Sequence, residues 1–546
     1  MKKLSVSVIV ALAVLLLINF LSKQFYYRFD LTEDGRYTLS KTTKNIVDSL
    51  NENAVITVYL EGDFPAEFKR LQTETRQHLE ELAALSNRIK FRFTNPLEIS
   101  DTLIAQGMQP SRLSVQEGGK VSEAIIFPWA QLRYKNKTEN INLLADGQPQ
   151  SQEQQLEKSI ENLEYVFSDA LLKITQTNPP KIAVLKGNGE LPDIKLAGLL
   201  TNLQPYYKLA PFTLDSVAVN PQSTLHQLLD YDLALIAKPQ KLFTEEEKFT
   251  IDQFILNGGK AIFMIDQVTA ELDSLYKTGE SLAFNKDLNL TDLLFNYGVR
   301  INYNLVKDIY STTIRLQDGT LGNQAQYKDY PWHYYPFVNP NPNHPITKNV
   351  APVRFMFTSS MDTLKNATVK KTVLLQSSKF SKAVGTPTLF SLEDVGKTPI
   401  KEDYNRGHQP LAILLEGTFK SAYANRIKPF KTNLYKDEIV NKMLIVSDGD
   451  IAANEIVRGQ PIPLGIDKYT NINYGNATFL LNSINYLLDD TGLMQLRNKS
   501  VQIQFLDKKK AYAERSFWQI INVALPLFIL LIFGLVFSFL RKKKYG

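Results

Sequence analysis

Two uncharged, predominantly apolar runs bracket this chain: residues 4–21, and residues 517–540 followed at once by Arg541, Lys542, Lys543 and Lys544. At 1.5 Å of rise per residue, each is long enough as a helix to approach or cross a hydrocarbon core of roughly 30 Å. Lys2, Lys3 and the closing quartet account for six of the 62 Lys and Arg residues. The remaining 56 balance the 56 Asp and Glu, all of which lie between the tails, so the +6 net charge belongs to the two tips. Lys and Arg beside a span resist translocation, so the pattern predicts both ends in the cytoplasm and the bulk of the chain in the periplasm. A cleaved signal peptide needs small residues before its cut. Asn19, Phe20, Leu21, Ser22, Lys23, Gln24, Phe25 and Tyr26 offer no such pattern, and without cysteine there is no lipoprotein anchor. An uncleaved N-terminal anchor is therefore expected. Pro526 and Gly534 in the second run are tolerated in a membrane helix. Lys508, Lys509, Lys510 and Arg515, just before that run, cancel the local charge signal there. Orientation thus rests on the first run.

About 490 residues separate the spans, too many for one compact core, so two or three domains are expected. The 44% hydrophobic and 11% aromatic shares are those of a folded globular chain, not of a disordered tether. The absence of cysteine excludes disulfides, thiolate zinc sites and a cysteine nucleophile. Neutrality between the spans argues against a nucleic-acid groove.

Local pattern divides the interior. Ser40 is placed to cap a helix over 41–50. A β-rich run at 55–60, a helical stretch over 65–86 and an alternating strand at 89–93 follow, then strands near 124–129 and 138–143. This β-α-β start closed by a hairpin suits a thioredoxin-like layout serving as a scaffold, since no Cys-x-x-Cys is present. Leu156, Ile160, Leu163, Phe167 and Leu171 are spaced by three and four, which predicts one amphipathic helix over 152–175 ended by Pro179-Pro180. Short apolar strands at 181–185, 232–237, 261–266 and 442–446 alternate with helices over 244–257 and 477–489. They indicate a mostly parallel, doubly wound sheet. Between about 285 and 440 the pattern weakens; Tyr330–Phe337 is dense in aromatics and prolines and precedes Asn339–Pro345, an irregular stretch that cannot be helix.

The domains expected are an anchor (1–22), a small α/β domain (23–145), a connecting helix (146–178) and an α/β domain (179–490, with an irregular insertion at about 285–440). A juxtamembrane segment (491–516), a transmembrane helix (517–540) and a basic tail (541–546) follow.

Catalytic signatures are missing. Gly396-Lys397-Thr398 resembles the end of a phosphate-binding loop. Ser391 stands where that loop needs its first glycine, and Pro399 blocks the following helix. Gly187-x-Gly189 follows a strand, but Pro192 holds the third glycine position of a dinucleotide turn. The five histidines lack metal-ligand spacing, and no Gly-x-Ser-x-Gly elbow occurs. Ligands of open α/β sheets collect outside the carboxyl ends of the strands. Glu190, Asp266, Asp448 and Asp450 all follow predicted strands; with Asn188 of the glycine-rich turn they are the candidate ligand-binding residues. They could accept hydrogen bonds from sugar hydroxyls or pair with cations. Acidic residues also favour strand-end turns for purely structural reasons, and that reading is preferred. No metal and no cofactor is expected.

The segment Arg28-Phe29-Asp30-Leu31-Thr32 through Tyr37-Thr38-Leu39-Ser40 resembles the start of the exported auxiliary proteins of certain ABC transporters. The 181–185 strand, the 232–266 strand-helix-strand unit and Val446-Ser447-Asp448-Gly449-Asp450 resemble their glutamine-amidotransferase-like domain. With apolar runs at both ends, the chain is most similar to the gliding-associated ABC transporter substrate-binding (GldG) family of Bacteroidetes. The resemblance implies a non-enzymatic exterior subunit working with a membrane permease and a cytoplasmic ATPase. It supplies no catalytic residues, and amidotransferase activity would need the cysteine that is missing. Two other functions stand beside it. One is an envelope hydrolase using Asp266 and Asp448, which requires carboxyl groups roughly 5–10 Å apart across a cleft. The other is a mechanical bridge in the envelope.

Overall fold

The computed structural model describes residues 38–62, 66–117, 120–145, 152–366, 368–498 and 512–545, in two compact units, Met1–Lys499 and Ser500–Gly546. The first apolar run, and with it the two-span topology, lies outside the described residues.

Helix α1 (Lys41–Asp48) begins where the sequence predicts, the Ser40 hydroxyl accepting from the Thr43 amide at 3.0 Å. Strand β1 (Ala54–Val58), helix α2 (Ala66–Leu85) and strand β2 (Ile89–Phe93) form a parallel β-α-β unit in which Ile56 faces Phe91. Strands β3 (Trp129–Tyr134) and β4 (Lys137–Asn142) close it as an antiparallel hairpin, giving the order β2-β1-β3-β4. The strand expected near 124–129 is displaced. Lys120–Ile126 pairs instead with Ser111–Glu117 in a separate hairpin, because Pro128 has no N–H for a ladder and the sheet resumes only at Trp129.

The long amphipathic helix is two: α3 (Gln152–Glu161) and α4 (Leu163–Thr175), parted at Asn162. Its predicted apolar stripe, Leu156 through Leu171, is buried as expected. Glu164 fastens α4 to α1, its carboxylate accepting from the Ser40 amide at 2.7 Å and the Thr43 hydroxyl at 2.8 Å. One turn further on, burial pushes the Asp169 carboxyl up to about 6, with Glu139 adding to the effect and Lys173 and Arg497 opposing it. The folded state therefore holds this proton more tightly than the unfolded chain, and stability is lost as pH rises from about 4 to 6. Asp169→Asn is expected to stabilise the protein by about 2 kcal/mol at pH 8, after discounting for partial solvent contact, and to change little at pH 4. Urea unfolding at the two pH values measures the difference.

The second sheet is built from β5 (Lys181–Lys186), α5 (Asp193–Leu203), β6 (Lys208–Thr213), α6 (Pro221–Leu228), β7 (Leu233–Ala237), α7 (Glu245–Leu256) and β8 (Lys260–Met264). Its remaining strands come much later in the chain. Within the insertion expected at about 285–440, the aromatic and proline-rich run Tyr330–Phe337 belongs to a long hairpin, β9 (Ser311–Leu321) with β10 (Gln324–Val338). Pro331 and Pro336 are accommodated because the register shifts between Ser311 and Thr313, a place where a strand tolerates residues without an N–H. Then come β11 (Val369–Gln376), β12 (Pro410–Lys420) and β13 (Glu438–Val446), and helix α8 (Asn476–Leu488).

The order is β11-β12-β13-β8-β7-β5-β6, with the five strands from β13 to β6 parallel and β12 antiparallel to both its neighbours, β13 and β11. Leu233–Ala237 is buried at every position, the continuous apolar pattern of a strand covered on both faces. Ala234 and Ile236 meet Phe249, Phe254 and Ile255 of α7 in one core, while α5 packs against α8. Helix α7 opens with a reciprocal cap between Thr244 and Glu247, and its exit is tight. Any Cβ on Gly259 would fall 2.2 Å from the Phe254 ring.

In the second unit, helix α9 (Arg515–Tyr545) carries a 29-residue candidate span, Arg515–Lys543, whose most apolar 18 residues have a mean hydropathy of 2.8. Among the described residues it is the one helix long and apolar enough to cross a membrane. Trp518 near one end and Arg541 to Lys543 near the other are residues that favour the two interfaces.

Candidate functional site

From β6 at the sheet's edge the chain crosses back over β5 to reach β7, so the winding direction changes between β5 and β7. Ligands of such sheets gather outside the strand ends at that point. The turn after β5 is compact: Gly187 and Gly189 adopt φ of +114° and +78°. A Cβ at Gly187 would approach the Asp215 carboxylate at 2.9 Å. Between them the Asn188 carbonyl accepts the amides of Gln240 and Lys241, each at 2.8 Å, and clamps this turn to the one after β7. The Asn188 side chain donates to Glu247 Oε2 at 3.1 Å, while its Oδ1 has no partner. Both Glu190 oxygens are likewise buried without a well-formed hydrogen bond, and burial pushes that carboxyl upward, with nearby backbone amides and Lys186 opposing.

The three aspartates converge one strand away. Asp266 follows β8, Asp448 and Asp450 follow β13, and an oxygen of each lies within 4.8 Å of the others. Lys238, which follows β7 and is 5% exposed, stands among them. Its ammonium reaches Asp450 at 2.6 Å, Glu271 at 2.9 Å and Asp266 at 3.5 Å. Burial works against that charge, but the carboxylates outweigh it and hold Lys238 protonated above the usual lysine range. Burial, then Asp266 and Asp450, push Asp448 well above the usual carboxylate range. Backbone donors occupy the remaining lone pairs. Asp266 accepts from the Gly449 amide at 2.6 Å, and Asp448 accepts from Asp450 at 2.7 Å and Met356 at 2.5 Å. Gly449 is required by the lysine, since a Cβ there would meet the Lys238 side chain at 2.5 Å.

Three carboxylates this close suit a hard cation by ligand chemistry. Here the lysine ammonium already supplies the positive charge, and the acids bind the ends of three neighbouring strands together. Of the five residues the sequence nominates, the structure unites Asp266, Asp448 and Asp450; Asn188 and Glu190 stay with the β5 turn. Lys238 and Glu271 escaped sequence reasoning. The signal for Lys238 was a lysine directly after a fully apolar strand, at the level where the next strand ends in Asp266.

The fold defines a mixed α/β protein with one apolar C-terminal helix. Residues 179–483, more than half of the sequence, match the model of a family described as an ABC-type uncharacterized transport system. The chain belongs to that transport-system auxiliary family, ABC_transp_aux. Residues 33–133 match a domain of unknown function, DUF7088. An uncharacterized protein of Borreliella burgdorferi is 24% identical over 527 residues, covering 95% of this chain and 94% of that protein. Among solved structures, the mmIFT52 N-terminal domain aligns with a TM-score of 0.31 at 14% identity, over 57% of this chain and 98% of that one.

Proposed function

We propose that this protein is the non-enzymatic, extracytoplasmic substrate-binding or auxiliary subunit of an ABC transporter complex associated with gliding motility. In this reading it works beside a membrane permease and, through it, a cytoplasmic ATPase. The observation that carries the reading is the family match over residues 179–483, joined to a helix fit for a membrane at the C-terminal side. The order β2-β1-β3-β4 supports a thioredoxin-like scaffold, and the winding order of the second sheet supports an amidotransferase-like domain without its cysteine. The hydrolase alternative loses ground. Asp266 and Asp448 are close enough, but backbone amides hold both and Lys238 sits beside Asp266, where a catalytic acid would need to face substrate.

Extraction of the tagged full chain from native membranes in mild detergent, with mass spectrometry of what accompanies it, tests the proposal. A multi-span permease and an ATPase recovered in near-equal amounts are expected. Recovery of neither after cross-linking would refute the assignment. A reporter fused after Gly546 should read as cytoplasmic.

A further inference from the structure

A second polar site lies away from the strand-end cluster, where the small domain, the connecting helix α4, helix α8 and the short turn Leu493–Asn498 meet. It is a cavity of about 230 Å³. That is smaller than the roughly 300–1,000 Å³ of pockets for drug-sized ligands, and it suits one small ring. Arg497 is 7% exposed and lines the cavity, yet its Nε–H has no acceptor. Asp169, on the same wall, feels the charges of Lys173, Glu139 and Arg497, and among the described residues none is hydrogen-bonded to its carboxylate. The Asn162 side chain makes no cap to α4 although it precedes that helix, and it too borders the space. Burial of a donor without an acceptor costs stability, and folds keep such groups mainly where function needs them.

We propose that this cavity binds a neutral, hydroxyl-rich ligand the size of a single sugar ring. Charge supports neutrality, because Glu139 and Asp169 on the wall are balanced by Lys173 and Arg497. Lys173 is committed, paired with Glu139 and lying 3.8 Å from the centre of the Tyr206 ring. Arg497 Nη2 is also committed, donating to the Lys348 carbonyl at 2.7 Å. The Arg497 Nε–H is buried without an acceptor, and a ligand hydroxyl would satisfy it. Hydroxyls both donate and accept, and the open groups supply both halves: Asp169 accepts, Arg497 donates, and the Asn162 amide does either. The site goes beyond the auxiliary-subunit reading and is independent of it. Co-purification of a permease tests that reading alone.

Calorimetric titration of the detergent-solubilised full chain with glucose, galactose, mannose and N-acetylglucosamine, and with alanine and glutamate as zwitterionic and acidic controls, decides the matter. At least one of the four sugars should bind saturably, and both Asp169→Asn and Asn162→Leu should weaken it at least tenfold. Melting curves would show that each variant remains folded, and Asn162→Leu, at a half-buried position, serves if Asp169→Asn does not. Binding of no sugar, binding of an amino acid in preference, or an affinity untouched by both variants would each overturn the proposal.

Discussion

Lys238→Met is expected to lower stability by about 3–5 kcal/mol, the cost of removing one partner from a buried ionic cluster while its counter-charges remain. The methionine fills most of the same space but leaves Asp266 and Asp450 facing each other without the ammonium now 3.5 Å and 2.6 Å away. The pH dependence has a definite sign. Burial raises the Asp448 and Asp450 carboxyls and Lys238 opposes it; with the cation gone, both bind protons still more tightly in the folded than in the unfolded state, so the variant's deficit shrinks as pH falls through the carboxylate range. Adding Asp450→Asn should recover part of the loss at pH 7. Equilibrium urea unfolding of the three proteins at pH 7 and pH 5 measures it. A single variant as stable as the parent would show that the cluster is open to water or holds a different cation.

Arg354→Met should cost a similar amount, about 3–5 kcal/mol, by the same route at a separate place. The Arg354 guanidinium spans Asp467 at 2.8 Å and Glu455 at 2.9 Å, and its backbone is paired in both directions with the Asn476 side chain at the start of α8. Asp467 in turn accepts from the amides of Tyr469 and Thr470. Loss of the guanidinium therefore releases the loop before α8. Hydrogen exchange should quicken at residues 467–474 more than in β7 or β8. Because the pair is buried, raising salt should not mimic the substitution. A coupling energy near zero in the Arg354→Met/Asp467→Asn cycle would contradict this account.

What could be read from the sequence was what local chemistry decides. Ser40 marks a helix start because a hydroxyl at that position satisfies an amide two or three residues on. The apolar runs at 233–237 and 261–264 mark covered parallel strands for the same local reason. Strands β11 and β12 escaped notice because their place is set by partners far away: Ile413 lies against Ile445, and Thr372 against Leu414. The strand through Tyr330–Phe337 was not foreseen because prolines usually forbid a strand, and the shift in pairing that admits them leaves no trace in composition. At the candidate site the acids were legible as strand-end residues. Their meeting point was not, since a lone Lys238 in sequence looks like any surface lysine.

The pairing of Ala261 with Met443 has a consequence for biogenesis. Strand β8 lies mid-sheet, yet its neighbour on one side is made only after some 180 further residues have been joined. At roughly 5–20 residues per second that interval is on the order of 10–40 s. Throughout it, the Ala261-Ile262-Phe263-Met264 edge is a ready template for illegitimate strand pairing. A nascent chain halted before residue 438 should therefore cling to a holdase, and one extended past residue 446 should let go.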